Sequence, residues 1–170
     1  MRLPLAVIAV AVASCVLASS AIGKETTMTL NSVGPLKLGM KRSAAVKTDW
    51  LSNRGNGCEL GGKPYPIAYR TGGPSAPKGL KAFVEFNSDR LTSLSATAGV
   101  RTPVGVRIGT TVTNMLTRYR AAGYGATQAY SDVFGGTFVR VTKRGKQVLG
   151  AFALKRKVTT LAIPSVPVCE

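Results

Sequence analysis

Apolar residues recur at helical spacing in two short segments of the chain. The clearer segment places its apolar residues at i, i+3, i+4 and i+7, and these are Val112, Met115, Leu116 and Tyr119. Such a stripe is typical of a helix that buries one face, and Thr110 or Thr111 can cap its start. A weaker pattern predicts a second helix, capped by Ser43 and running to Leu51, before the turn-forming residues 53–57.

Strand-like patterns fill five further segments, residues 82–86, 91–96, 137–142, 147–154 and 158–163. The turns that join neighbouring strands are short, so these strands are expected to pair antiparallel. Alternation in the third segment sends Val139 and Val141 to one face and Phe138 and Arg140 to the other. We expect the valines to lie in the core.

The two groups of elements follow the same order, which indicates a duplicated unit. Leu38-Gly39-Met40 precedes the first helix, and Ile108-Gly109-Thr110 precedes the second, 70 positions later. The last strand of each group contains an equivalent leucine, Leu94 and Leu161, 67 positions apart. Ser, Thr or Ala flanks both leucines, so the opposite face of the sheet is expected to be small, polar and open to water.

The predicted architecture is therefore α+β. Two tandem repeats, 34–101 and 102–170, each consist of a helix followed by an antiparallel meander. The meanders form one sheet, with the helices packed on one face. Two longer connections, Gly61–Gly79 and Tyr124–Gly136, are expected to be loops, the first with room for a short strand at Ile67-Ala68-Tyr69, and loops of this length are often functional.

The helix starts around Gly39 and Gly109, together with the strands Leu91-Thr92-Ser93-Leu94 and Val158-Thr159-Thr160-Leu161, resemble the β-lactamase-inhibitor-protein-like fold. The single unit resembles lipoproteins of the SmpA/OmlA group, and the duplicated chain resembles secreted or lipid-anchored proteins of actinobacterial type. The resemblance implies a saddle-shaped antiparallel sheet whose open face and loops grip an enzyme in the inhibitor members. Asp132 is the candidate for the acidic contact residue of such an inhibitor.

The N-terminal segment 1–23 has one early positive charge, an apolar run and small residues at its end, which predicts a cleaved signal peptide. The apolar run is too short for a spanning helix, so the mature protein is expected to lack a transmembrane segment. Cys15 follows Val12-Ala13-Ser14 and offers the alternative of a lipid anchor. Residues 24–33 are expected to form a flexible leading segment, or an edge strand around Met28.

Two cysteines remain after such a cleavage, Cys58 and Cys169. An even number of cysteines in an exported chain predicts a disulfide, which would tie the C-terminus to the first repeat. A catalytic role for Cys58 is disfavoured because the chain has no histidine to act as its base.

Lysine and arginine number 23 against 7 acidic residues, a formal net charge of +16. This imbalance favours anionic partners: wall polymer, lipid surface or acidic protein. Nucleic-acid binding is disfavoured by the export signal. Six basic residues occupy two hairpin turns at opposite ends of the sheet, either as solvated turn residues or as anion-binding groups; they are Lys143, Arg144, Lys146, Lys155, Arg156 and Lys157.

No catalytic set is recognisable: histidine is absent, the carboxylates are scattered, and no metal or cofactor motif occurs. The sequence therefore favours a secreted, monomeric, non-enzymatic module that binds a protein at the bacterial cell envelope through its open sheet face and loops. The candidate contact residues, besides the basic turns, are Tyr65, Tyr69, Tyr130, Phe138 and Arg140. The alternatives are an electrostatic binder of anionic wall polymer or lipid, and a β-lactamase-type enzyme inhibitor.

Overall fold

The computed structural model describes residues 25–58, 63 and 65–168 of the chain. The predicted signal peptide, the lipid-anchor candidate Cys15 and the disulfide candidate Cys169 lie outside these residues. Within the described part, one large antiparallel sheet dominates and two helices accompany it.

Twelve strands and two helices follow one another along the described chain. They are β1 (Thr26–Thr27), β2 (Ser32–Val33), β3 (Leu36–Lys37), α1 (Arg42–Val46), β4 (Leu51–Asn56), β5 (Ile67–Thr71), β6 (Lys81–Asn87), β7 (Arg90–Ala98), β8 (Val100–Arg101), α2 (Val112–Ala121), β9 (Gly125–Ser131), β10 (Gly136–Lys143), β11 (Lys146–Leu154) and β12 (Lys157–Ile163). The large sheet has eight strands in the order β4-β5-β6-β7-β12-β11-β10-β9, and every neighbouring pair is antiparallel.

The core lies on the face of the sheet that α2 covers. Met115 and Tyr119 of α2 are buried in the same apolar cluster as Leu94, Leu161 and Val141. Val139 is also buried, so the predicted core position of the two β10 valines is confirmed. The stripe predicted for the second helix is confirmed as well, and Thr111 is its cap because its hydroxyl accepts the backbone N–H of Asn114 at 3.3 Å.

The predicted helix from Ser43 to Leu51 is wrong in its extent. The helix α1 ends at Val46, Lys41 stands at its N-cap position without a side-chain cap, and residues 51–56 form the strand β4. The predicted loop 124–136 is interrupted by β9, whereas the short strand at residues 67–69 within the loop 61–79 is confirmed as part of β5. The edge strands β4 and β9 escaped prediction because they are polar and glycine-containing, and their pairing partners, rather than local alternation, determine their conformation.

The leading segment, residues 25–33 of the described chain, is ordered and packs against the rest of the fold. Thr26 and Thr27 pair in parallel with Val100 and Arg101, and the side chain of Met28 is fully buried. The backbone N–H of Met28 donates to the carbonyl oxygen of Arg101 at 2.9 Å. Val33 is fully buried as well, so the prediction of a flexible leading segment is wrong, and the alternative of a strand near Met28 is closer to the observed β1.

Candidate binding surface

The hairpin of β9 and β10 projects apolar side chains into solvent at its tip. Its turn is closed by the N–H of Gly135, which donates to the carbonyl oxygen of Asp132 at 3.3 Å, and Gly135 has a left-handed φ of +58° that glycine adopts readily. Val133 is 84% exposed, Tyr130 65% and Phe134 38%. Exposed apolar groups concentrated on one turn are typical of an interaction surface.

Three phenylalanine rings form a row across this hairpin and the neighbouring strand β11, on the face of the sheet opposite α2. The ring of Phe134 meets Phe138 edge-on at a centroid distance of 5.6 Å, and Phe138 contacts Phe152 of β11 at 4.9 Å. Gly136 lies beneath the Phe152 ring, where any Cβ would collide with it. Packed aromatic rings therefore support the tip on the side of Phe134.

The C-terminal segment crosses the same face. After Ile163 the chain runs over β11, where a Cβ on Gly150 would lie 2.8 Å from the backbone nitrogen of Val166. Val166, Pro167 and Val168 then line a cleft of about 290 Å³ together with Ser95, Thr160 and the three phenylalanines. The expectation of an open polar face is therefore wrong at its centre: Ser95 is 9% exposed and Ala162 is fully buried.

The crossing segment ends beside Cys58. The Sγ atom of Cys58 lies 3.2 Å from the carbonyl oxygen of Val168, the residue before Cys169. The N–H of Cys58 donates to the Oε1 atom of Glu85 at 2.6 Å, and Glu85 is only 6% exposed. This buried carboxylate was not singled out from the sequence. The predicted disulfide remains a prediction, and the position of Val168 is consistent with it.

The predicted contact residues on the sheet face are brought together only in part. Phe138 is half-buried in the aromatic row, whereas Arg140 is exposed and lines a neighbouring cleft of about 450 Å³ with Gln128, Gln147 and Val166. Tyr130 lies on the hairpin tip. Val133, Phe134 and Phe152 were missed, although the Phe134-Gly135-Gly136 sequence between two strands signals an exposed turn.

The expected exposed pair of Tyr65 and Tyr69 does not form. Tyr69 belongs to β5 and packs edge-on against the core residue Phe86, with ring centroids 5.7 Å apart, because strand alternation directs it to the core face. Tyr65 is 41% exposed, and the Lys63 ammonium lies 5.9 Å from its ring centroid. These tyrosines therefore do not share a surface.

The six basic turn residues are exposed and lie at the two ends of β11, as expected. Lys143, Arg144 and Lys146 surround the β10–β11 turn, where the Lys143 ammonium lies 5.6 Å from the Tyr124 ring centroid. Lys155, Arg156 and Lys157 surround the β11–β12 turn. Because Thr137 pairs with Ala153, this second turn and the β9–β10 tip lie at the same end of the sheet.

Known proteins and common site types offer no direct guide to this surface. No protein family, curated protein or solved structure matches the chain. Among the described residues, no group of three or more His, Cys, Asp or Glu side chains could hold a metal ion. No helix in the described part of the chain is long and apolar enough to cross a membrane.

Proposed function

We propose that this protein is an exported, non-enzymatic module that binds a protein partner at the bacterial cell envelope. Its binding surface, here called the hairpin surface, consists of Tyr130, Val133 and Phe134 with the outward edge of β9. The observation that carries the proposal is the exposure of Val133 on the β9–β10 turn, 84%, and of Tyr130 at the end of β9, 65%, beside Phe134, whose ring packs against Phe138. Rigid, exposed aromatic and aliphatic anchors are the groups that dominate binding energy at protein interfaces.

The edge of β9 can extend this surface by strand pairing. All seven residues of β9 pair with β10 without a register shift, whereas β4 at the other edge is interrupted between Ser52 and Gly55. Arg120 covers the start of β9 by donating two hydrogen bonds to the Ala126 carbonyl oxygen, at 2.7 and 3.1 Å. From Thr127 to Ser131 the strand carries no charge and no proline, the features that commonly protect a sheet edge.

The charge around the hairpin surface favours an acidic partner. Lys155, Arg156 and Lys157 lie at the same end of the sheet and are exposed, and Leu154 beside them is 43% exposed. A partner with carboxylates around an apolar groove would match both features. Such complementarity mainly raises the association rate and the specificity.

We further infer that the sheet consists of two copies of one unit. The N–H of Gly39 donates to the carbonyl oxygen of Leu91, and the N–H of Gly109 donates to that of Val158, both at 2.7 Å. The N–H groups of Leu91 and Val158 donate in return, to Met40 and Thr110, both at 2.9 Å. Read outwards from the junction of β7 and β12, one half of the sheet runs β7-β6-β5-β4 and the other runs β12-β11-β10-β9. Each half therefore places its strands in reverse chain order from the centre to the edge. In this scheme β9–β10 corresponds to β4–β5, and only the second copy presents a regular edge strand.

The hairpin surface is tested by the double substitution Tyr130→Ser and Val133→Ser. Both side chains are exposed, so the variant is expected to fold. Proteins captured from envelope extract by the wild type are purified, and their affinity for the variant is measured. We expect a loss of about 30-fold or more, which is typical of interface anchors. Val46→Ser, which removes a 44% exposed valine on α1, is the matched control and should bind normally.

Two results would overturn the proposal: no envelope protein is recovered by the wild type, or the Val46→Ser variant loses as much affinity as the double variant. The enzyme-inhibitor alternative is an additional reading of the same surface, because Asp132 is exposed at the hairpin tip. It predicts that Asp132→Asn relieves inhibition in a β-lactamase hydrolysis assay.

A second candidate function is electrostatic binding to anionic wall polymer or lipid. The exposure of all six basic turn residues favours it. Binding to purified wall material or anionic vesicles should then fall steeply between low and high salt, because ions screen exposed charges beyond about 10 Å at 0.1 M ionic strength. Binding that salt does not change would contradict this candidate.

A further inference from the structure

Three arginines converge on an open cleft between the β1–β8 pair and the start of α2. The cleft has a volume of about 790 Å³, within the usual range for ligand sites, and its lining is mostly polar. Its cationic groups are Arg101, Arg107 and Arg118, and we call it the arginine cleft. None of its residues belongs to the hairpin surface, so it is a separate feature of the molecule.

Backbone pairing places the first two arginines side by side. Arg101 and Arg107 are direct partners in an antiparallel bridge, so their side chains start from the same face. Thr102, which is 2% exposed, closes the loop that joins them. Its N–H donates to the carbonyl oxygen of Val106 at 2.8 Å, and its hydroxyl oxygen accepts the N–H of Val106 at 3.1 Å. The bridge therefore holds two like charges together on a rigid loop.

The third arginine reaches the same point from the helix. The Nη1 atom of Arg118 donates to the carbonyl oxygen of Gly105 at 2.7 Å. The position that a Cβ would occupy on Gly105 lies 2.6 Å from this atom and 3.6 Å from the Nη2 atom of Arg101. Two guanidinium groups thus flank one point beside Gly105, and Arg107 lines the same cleft.

These charges have no ionic partner in the described part of the chain. The salt bridge found there joins Arg42 and Asp89, and no carboxylate of the described residues lies within 4.0 Å of the three arginines. Glu25 lines the cleft as the one acidic side chain among its residues. Three positive charges and one negative charge leave a net charge of +2. Like charges placed opposite each other in a bridge destabilise a fold, so a bound anion would relieve a cost that the protein otherwise carries.

We propose that the arginine cleft binds a phosphate group in its dianionic form. A phosphate offers three oxygens to planar guanidinium donors and matches the net charge of +2, whereas one carboxylate offers two oxygens and one charge. Asn114, Thr110 and Thr111 also line the cleft and supply further polar groups. The positive end of the ten-residue helix α2 adds to the attraction. Lys157 and Thr111 form an isolated β-bridge at the rim of the cleft. The basic β11–β12 turn that contains Lys157 can therefore attract the anion.

The test uses the folded protein and four probes at low salt: inorganic phosphate, pyrophosphate, the dicarboxylate malonate, and phosphatidylcholine vesicles that contain phosphatidic acid. Binding is followed by calorimetry and vesicle sedimentation. We expect saturable binding of the phosphates that weakens about tenfold or more in the Arg101→Gln/Arg107→Gln variant. Lys143→Gln/Arg144→Gln removes the same charge from the far end of β11 and should bind the soluble phosphates normally. Glu25→Gln should bind several-fold more tightly.

The vesicle measurement identifies the source of the phosphate. Vesicle binding that pyrophosphate displaces indicates a lipid headgroup, and binding of the soluble probes alone indicates a free phosphate compound. Three outcomes overturn the proposal: no saturable phosphate binding, an equal loss in the two charge-matched variants, or equal affinity for malonate. Should the Arg101→Gln/Arg107→Gln variant fail to fold by circular dichroism, Arg118→Gln on the exposed side of α2 is compared with the single variant Arg144→Gln, which removes the same charge.

Discussion

The phenol of Tyr119 is an ionisable group within the core. Its side chain is 2% exposed and lies on α2 against the ring of Tyr124, 5.6 Å away edge-on. Burial raises the pKa of Tyr119 to about 12, while a hydrogen bond with the Thr102 side chain partly opposes the shift. Tyr119 thus connects the core to the loop that carries Arg101 and Arg107.

The raised pKa predicts a loss of stability in strong alkali. Because the folded pKa lies above the unfolded value of about 10, Tyr119 costs nothing below pH 10, and stability falls as the pH rises from 10 towards 12. Tyr119→Phe should remove about 2 kcal/mol of the fall in unfolding free energy measured between pH 9 and pH 11.5. Tyr130→Phe, at an exposed ring, is the control and should keep the full decrease. The same decrease in all three proteins would refute the assignment.

Hairpin turns are the elements whose sequence and conformation agree least. The β6–β7, β10–β11 and β11–β12 hairpins each have two central residues with positive φ, the conformation of a type I′ turn. Arg144-Gly145 places glycine at the second position, but Lys155 and Arg156 adopt φ of +46° and +64° with full side chains. Lysine and arginine are disfavoured in this conformation.

Replacing Lys155 by Asn and Arg156 by Gly should therefore raise the unfolding free energy by about 1 kcal/mol in chemical denaturation. The bond that the Arg156 carbonyl oxygen accepts from Val112, at 3.0 Å, comes from the backbone and is retained. The double variant Lys155→Gln/Arg156→Gln removes the charges without relieving the backbone and should show no comparable gain. An equal gain in both variants would indicate charge repulsion instead of turn conformation.

At the scale of the whole molecule, the C-terminal segment joins the two halves of the sheet. It leaves β12, crosses β11 above Gly150 and reaches Cys58, which follows β4 in the first half. A Cys58–Cys169 disulfide would fix this crossing and would close a loop of about 110 residues, for which chain-entropy estimates give roughly 5 kcal/mol as an upper figure.

Reduction should accordingly destabilise the protein by about 2–4 kcal/mol and raise its mass by about two units. The Cys58→Ser/Cys169→Ser variant should unfold at the same denaturant concentration as the reduced wild type, and reductant should not affect it. Unfolding curves with and without reductant provide the measurement. A wild type that reductant leaves unchanged in mass and stability would show that the bond does not form.

The strongly patterned segments were predicted from the sequence because their local signals and the fold agree. The apolar stripe of α2, its Thr111 cap, and the inward valines of β10 all follow from helical or strand periodicity, which depends on residues close together in the chain. The central strands of the sheet were located for the same reason. Charge and cysteine content were likewise determined by composition alone.

Only the tertiary structure decided the edges of the sheet, the covered face and the two candidate sites. β4 and β9 are strands because β5 and β10 pair with them, and Ser95 is buried because residues distant in sequence cross above it. Arg118 joins Arg101 because a helix and a strand pair meet there. Such contacts arise between distant segments, whose meeting depends on global packing and leaves little trace in local periodicity.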